Sequence, residues 1–147
     1  MWTYQSQPME TLSSFPQGTY GFIYRTIHIP SGRAYIGKKV LYHQRKVKLT
    51  KKELAEYANI SGRKPSYRIA MKESDWQKYY GSHSQIKELI KEGKQEEFER
   101  EILHLASSKK LLTYYEVKYQ MVYQVLEKPE EFFNDNILGK FYKKDFE

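Results

Sequence analysis

The stretch Thr19-Tyr20-Gly21-Phe22-Ile23-Tyr24-Arg25-Thr26-Ile27-His28, then Pro30-Ser31-Gly32, then Arg33-Ala34-Tyr35-Ile36-Gly37-Lys38-Lys39-Val40-Leu41, decides how this chain is read. Aromatic and β-branched residues suit both long runs to strands, and Pro-Ser-Gly between them is turn chemistry. The pair is predicted to form a β-hairpin. Alternation puts Ile23, Ile27 and Ile29 on one face of the first strand, and Tyr20, Phe22, Tyr24, Thr26 and His28 on the other. In the second strand Ile36 and Val40 share a face, opposite Tyr35 and Gly37. A connecting loop with an even number of residues brings Tyr24 and Tyr35 to the same face, away from the aliphatic set. The two tyrosines are then either displayed together or packed as a second, aromatic core layer; periodicity serves both readings.

Working outward, residues 1–18 hold Pro8, Pro16 and Gly18 among polar residues and read as an irregular lead-in. Residues 42–80 are the least regular part. Thr50 suits the N-cap of a short helix to about Ala58, with Glu53 at the capping-box position, and Ser61-Gly62-Arg63-Lys64-Pro65 then breaks it. The stretch reads as a basic insertion whose end is packed down by Trp76, Tyr79 and Tyr80. Ser84 to Glu92 is amphipathic, with Gly93 as its stop. Glu99 to Leu105 suits a third strand. A longer helix from Ser107 or Ser108 is expected to reach about Lys128, where Pro129 closes it. The expected fold class is α+β: a small three-stranded antiparallel sheet flanked by helices, with the basic insertion after the second strand.

The chain of 147 residues, 39% hydrophobic, suits one folded domain with a modest core, placed at 19–147. It has no cysteine, which excludes disulfides and thiolate metal sites and suits a reducing compartment. The first residues lack a signal pattern and no run is long enough to cross a bilayer, so a soluble, cytoplasmic protein with no membrane partner is expected. The net charge of +7 is unevenly placed: residues 11–72 hold thirteen Lys/Arg against Glu53 and Glu56, and the remainder is net acidic. Such a split points to a polyanion-facing half, or to a solvated lysine-rich surface.

The segments Gly21-Phe22-Ile23-Tyr24 and Tyr35-Ile36-Gly37-Lys38, with their tyrosines eleven positions apart, resemble the signature of the GIY-YIG nuclease family. Trp76, Tyr79-Tyr80-Gly81-Ser82, Phe98, Ile102-Leu103 and a helix carrying Glu116 are similar to its phage-encoded, Seg-like branch, a homing-endonuclease lineage. The resemblance covers roughly residues 19–137 and implies metal-dependent hydrolysis of DNA phosphodiester bonds. That reaction needs an activated water, neutralised phosphoryl oxygens and a stabilised leaving oxygen. The resemblance assigns Tyr24 to the attacking water, as base or orienter, and Tyr35 to positioning water or phosphate. A free phenol titrates near pH ~10, so base duty for Tyr24 needs nearby cations, with Arg25, Lys38 and Arg45 as sources. Arg45, ten residues after Tyr35, takes the place of the catalytic arginine, with Arg63 and Arg68 as rivals.

Glu116 matches the single protein ligand for Mg²⁺ or Mn²⁺, an ion that keeps much of its hydration. Glu99 and Glu101 are alternatives. His43, close to the motif, ranks above His83 as a further catalytic group; His83 reads as a polar loop residue. Asn134 resembles a late asparagine of the active-site wall. Lys38, Lys39, Lys46, Lys48, Arg63, Lys64, Arg68 and Asn134 are the expected contacts to double-stranded DNA. One departure is Phe22, which stands where the family has its first glycine, displaced here to Gly21. No zinc finger or helix-turn-helix follows the core, so sequence preference is expected from the insertion and the core surface. Homing, restriction and degradation of competing DNA remain open, as does oligomeric state, a dimer included. A non-catalytic nucleic-acid-binding module on the same scaffold is the alternative; a pure protein-interaction domain leaves the basic half unexplained.

Overall fold

A computed structural model describes residues 1–60 and 62–147; Ser61, in the predicted break, lies outside the described residues. The chain falls into two compact units: Met1–Leu41 with Asp75–Glu147, and Tyr42–Ser74.

The first unit is built on a five-stranded sheet. Its strands are β1 (Trp2–Tyr4), β2 (Gln7–Met9), β3 (Gly21–His28), β4 (Arg33–Val40) and β7 (Phe98–Ala106), in the order β2-β1-β7-β3-β4. β1 runs parallel to β7 and the other pairs are antiparallel, so the sheet is mixed and larger than the three antiparallel strands expected. The extra strands come from residues 2–9, read as irregular. Gln5 and Ser6 both adopt positive φ and turn the chain between them. Pro8 is tolerated because β2 is an edge strand, where a missing N–H costs no ladder bond. The three-residue strands are too short to show alternation.

Gly21 marks a close approach rather than a turn: a Cβ there would meet the Lys39 carbonyl oxygen at 2.5 Å. In the hairpin, Tyr24 opposes Gly37 and Thr26 opposes Tyr35, so Tyr24 and Tyr35 do share a face. Each face of the sheet is covered. On one, Ile23, Ala34 and Ile36 pack under Leu112, Val125 and Leu126. Leu112 belongs to α3 (Lys109–Val122), which is capped by the Ser108 hydroxyl accepting from the Leu111 N–H at 3.2 Å. This helix stops before the expected Lys128, because Gln124 turns to φ 56° while Val125 and Leu126 still reach the core. On the other face Trp2, Phe22, Tyr24 and Trp76 form an aromatic layer, with Trp2 5.0 Å from Phe22 and 5.4 Å from Tyr24. Each such pair adds about 0.5–1.5 kcal/mol beyond simple burial. The Trp2 indole N–H donates to the Trp76 carbonyl at 2.7 Å, so the first residues and the segment after Ser74 close the layer together. α2 (Ser84–Lys91) and the short β8 (Asn136–Ile137) and β9 (Phe141–Tyr142) complete this unit.

The second unit is a two-stranded ribbon, β5 (Tyr42–Lys48) and β6 (Tyr67–Glu73), paired antiparallel with α1 (Lys51–Glu56) between them. Its regularity was hidden in the sequence because polar residues occupy both faces of β5. Thr50 caps α1 as predicted, its hydroxyl accepting from the Glu53 N–H at 3.2 Å. Residues 75–80, expected in the insertion, belong to the first unit, where Trp76 is fully buried.

Candidate active site

β4 is the outer strand of the sheet, and its free edge is where functional side chains gather. An unpaired strand edge presents N–H and C=O groups that need partners. Here they are supplied piece by piece. Ala34 donates to the Glu131 carbonyl at 2.9 Å and accepts from the Phe133 N–H at 2.8 Å. Ile36 donates to Asn134 Oδ1 at 3.1 Å, and its carbonyl accepts from Asn134 Nδ2 at 2.8 Å and Gln120 Nε2 at 2.9 Å. One step further, the Glu116 carboxylate accepts from the backbone N–H of Lys38. The α3 side chains Glu116 and Gln120 are thereby fixed against the strand that carries Tyr35 and Gly37.

Around this edge lies an open cleft of about 420 Å³ whose walls include Tyr35, Lys38, Ser82, His83, Glu116 and Gln120. Tyr35 exchanges a 2.8 Å hydrogen bond with Ser82. Lys38 Nζ donates to Thr113 Oγ1 at 3.1 Å and stands 3.9 Å from Glu116. Burial raises the Glu116 carboxyl above its ordinary value, opposed by the Lys38 ammonium and the Lys38 N–H. Burial likewise raises the Tyr35 phenol, with the Ser82 hydrogen bond opposing it.

Tyr24 is placed differently from the sequence expectation. It is buried behind the cleft, 1% exposed, and its hydroxyl is hydrogen-bonded to Tyr79. Its pKa lies well above 10, first because of burial and then because Tyr79, Tyr35 and Glu116 all disfavour a phenolate. The cations proposed to lower it do not do so. Arg25 is on the opposite face, paired with Glu101 at 2.9 Å. In the first unit Tyr24 is therefore a neutral hydrogen-bond donor, and Tyr35 is the tyrosine that meets the cleft.

Two glycines make the arrangement fit. A Cβ on Gly37 would stand 2.6 Å from the Tyr24 hydroxyl and 3.0 Å from the Tyr35 ring. Gly81 adopts φ +137° with Tyr35 and Ile86 3.4 Å from where its Cβ would be. Behind them, Arg100 donates to the Gln77 and Tyr79 carbonyls at 3.0 and 2.8 Å and lies between the Trp2 and Tyr80 rings, fixing the segment that carries Tyr79.

Sequence reasoning missed Tyr79, Ser82, His83, Gln120 and Asp135. Tyr79 and Ser82 stood in a motif without a role. His83, read as a polar loop residue, caps α2 by accepting from the Gln85 N–H at Nδ1, and its Nε2–H donates to Asp135 at 2.9 Å. That partner lies 52 residues away and leaves no local signal. His43, ranked above it, lies exposed on the ribbon opposite Lys72. Arg45, Lys46 and Lys48 are exposed on β5, Arg63 and Lys64 follow α1, and Arg68 is paired with Glu53 at 2.9 Å. Two expected DNA contacts of the first unit are otherwise engaged. Lys39 is paired with Asp75 at 2.6 Å and lies 4.0 Å from the centre of the Tyr79 ring. Asn134 is 1% exposed with both amide atoms on Ile36.

Among the described residues no group of three or more His, Cys, Asp or Glu could hold a metal. Two carboxylates line the cleft, and Asp135 is paired with His83 and Lys143. Glu116, in a polar cleft wide enough for coordinated water, fits Mg²⁺ or Mn²⁺, which bind through one or two carboxylates plus water and phosphate.

A family model described as "Putative endonuclease segE, GIY-YIG domain" matches residues 2–137. The chain belongs to the GIY-YIG nuclease family. The matched span begins at Trp2 and includes the β1–β2 hairpin. No curated protein and no solved structure matches the chain. Membership implies a nuclease acting on DNA, and GIY-YIG nucleases generally depend on a divalent metal. Among the described residues no helix of this GIY-YIG domain is long and apolar enough to cross a membrane.

Proposed function

We propose that this GIY-YIG protein is an endonuclease that hydrolyses phosphodiester bonds of double-stranded DNA with one Mg²⁺ or Mn²⁺ held by Glu116. The observation that carries the reading is the meeting of Tyr35, Lys38 and Glu116 in one cleft around Gly37. The phosphate enters beside Lys38, whose ammonium offsets its charge. Tyr35 and Ser82, already hydrogen-bonded, orient the water that attacks phosphorus, and Tyr24 holds Tyr79 from behind. As the water oxygen bonds to phosphorus and gives up a proton to solvent, the opposite P–O bond breaks and the leaving oxygen takes a proton from solvent. A divalent ion on Glu116 would supply Lewis-acid neutralisation of the phosphoryl oxygens.

Arg45 is proposed as the arginine that stabilises the transition state, on its position in the sequence, with Arg63 and Arg68 as rivals. Lys48, Arg63 and Lys64 are proposed to hold the DNA backbone, and Lys46 to contact the DNA from β5. Homing by a phage-encoded enzyme in the host cytoplasm, restriction, and degradation of competing DNA are the roles such cutting would serve. Metal-dependent cutting of plasmid DNA that is lost in Glu116→Gln tests the reading; a cleft variant that cuts like the parent contradicts it.

A further inference from the structure

Of the net charge of +7, Tyr42–Ser74 carries +6: nine Lys and Arg against Glu53, Glu56 and Glu73. The rest of the chain is close to neutral, so attraction for a polyanion is concentrated in the ribbon. The two faces of the ribbon differ. His43, Arg45 and Val47 face one way with Lys72, Ala70 and Arg68 opposite them; Val47 and Ala70 are half-buried and Arg68 is engaged by Glu53. On the other face Gln44 opposes Met71, Lys46 opposes Ile69 and Lys48 opposes Tyr67. All six are exposed, with Tyr67 at 58%, Ile69 at 66% and Met71 at 53%. From Gln44 to Lys48 one strand of this face is therefore polar and basic, while its neighbour from Tyr67 to Met71 is apolar and uncovered; Tyr42 and Glu73 stand at the end of the same face.

We infer that this face is a groove-reading surface for B-form DNA, with the ribbon lying in the major groove. A two-stranded ribbon fits that groove, which offers both hydrogen-bonding edges and thymine methyl groups. Gln44 and Lys46 are the side-chain types that bond adenine and guanine edges there, and Lys48 meets the adjoining phosphate. Ile69 and Met71 lie against thymine methyls, which accounts for apolar side chains left in water beside so many charges. From Gln44 to Lys48 the strand rises about 13 Å, roughly four base steps. The deep, narrow major groove of A-form RNA excludes the same ribbon. The inference rests on DNA being the substrate, but not on the cleft being catalytic.

The test is binding of the full chain to a fluorescein-labelled DNA duplex in EDTA, followed by anisotropy across a KCl series. Lys46→Ala with Lys48→Ala should weaken binding and lower the salt slope by about one, the Lys48 phosphate contact. Ile69→Ser with Met71→Ser should weaken binding about 10-fold at an unchanged slope. Replacing thymine by uracil should weaken the parent and leave that second variant unaffected. These positions are exposed, so both variants should melt with the parent. Parental affinity in both variants, equal affinity for duplex RNA, or displacement by a minor-groove ligand overturns the proposal. So does a parent dimer that Ile69→Ser with Met71→Ser converts to a monomer of unchanged DNA affinity, which would make this face a contact between copies. A protein that binds as predicted but cuts nothing with Mg²⁺ refutes the nuclease reading alone; one that cuts while ribbon variants bind normally refutes the ribbon alone.

Discussion

The hydroxyl of Tyr24 lies against Gly37, its partner across the hairpin, in space that a side chain at position 37 would claim at 2.6 Å. That contact lets a buried tyrosine lie across Gly37, on the face of β4 that it shares with Tyr35. Gly37→Ala must push aside both the Tyr24 phenol at 2.6 Å and the Tyr35 ring at 3.0 Å. The expected cost is about 1–3 kcal/mol of stability, read by urea denaturation. The Tyr24→Phe variant keeps the packing and loses only the hydrogen bond to Tyr79, so it should fold normally while cleavage falls by up to about 10-fold, the worth of one hydrogen bond. Equal cleavage by Tyr24→Phe and parent would make Tyr24 a packing residue only.

Asn134 stands in for a missing neighbour strand at Ile36. Removing its amide in Asn134→Ala leaves the Ile36 N–H buried without an acceptor, at a cost of about 1–3 kcal/mol. A melting temperature lowered by several degrees is expected. If the variant instead melts like the parent and only its DNA affinity falls, Asn134 is a DNA contact after all.

The raised pKa of Glu116 gives a pH dependence of defined sign. Its carboxyl is protonated more readily in the folded chain than in the unfolded one, because burial opposes the charge. The resulting stability is present below the unfolded value and is lost as pH rises through the folded one. Glu116→Gln, which removes the buried charge, should therefore melt higher than the parent near neutral pH, with the gap closing on acidification. Lys38→Met removes the cation that holds the carboxyl down, so the acid limb of metal-dependent cleavage should move to higher pH. A limb that stays put, or moves down, contradicts the Lys38–Glu116 pairing.

Arg45→Ala should reduce cleavage far more than DNA affinity if its guanidinium acts in the transition state. Comparing single-turnover rates with binding in EDTA separates the two. Losses of the same size would make Arg45 a phosphate anchor and pass the catalytic role to Arg63 or Arg68.

Much of the secondary structure was legible because local rules govern it. The four residues Ile29–Gly32 between Val40's strand and its partner fix the parity that sets Tyr24 beside Tyr35. The capping box at Thr50 and the amphipathic run from Ser84 also follow from short-range chemistry. What escaped depends on distant partners. The lead-in becomes a hairpin because β7 offers an edge to Trp2–Tyr4, a fact no residue near Pro8 announces. α3 ends at a left-handed Gln124, where no glycine signals the stop. His83 gains its place from Asp135, and the buried state of Tyr24 comes from Trp2 and Tyr79, far apart in the chain. The two tyrosines also answer the open question of their shared face: Tyr24 belongs to the aromatic layer and Tyr35 to the cleft.

The central claim is that Glu116 holds the metal on which cutting depends. Its most direct test incubates supercoiled plasmid with the parent and with Glu116→Gln, each in Mg²⁺ and in EDTA, alongside anisotropy binding in EDTA. The account predicts nicking or linearisation by the parent in Mg²⁺ only, none by Glu116→Gln, and DNA affinity within a few-fold of the parent for the variant. Cutting by Glu116→Gln at the parental rate, or cutting by the parent in EDTA, would contradict it.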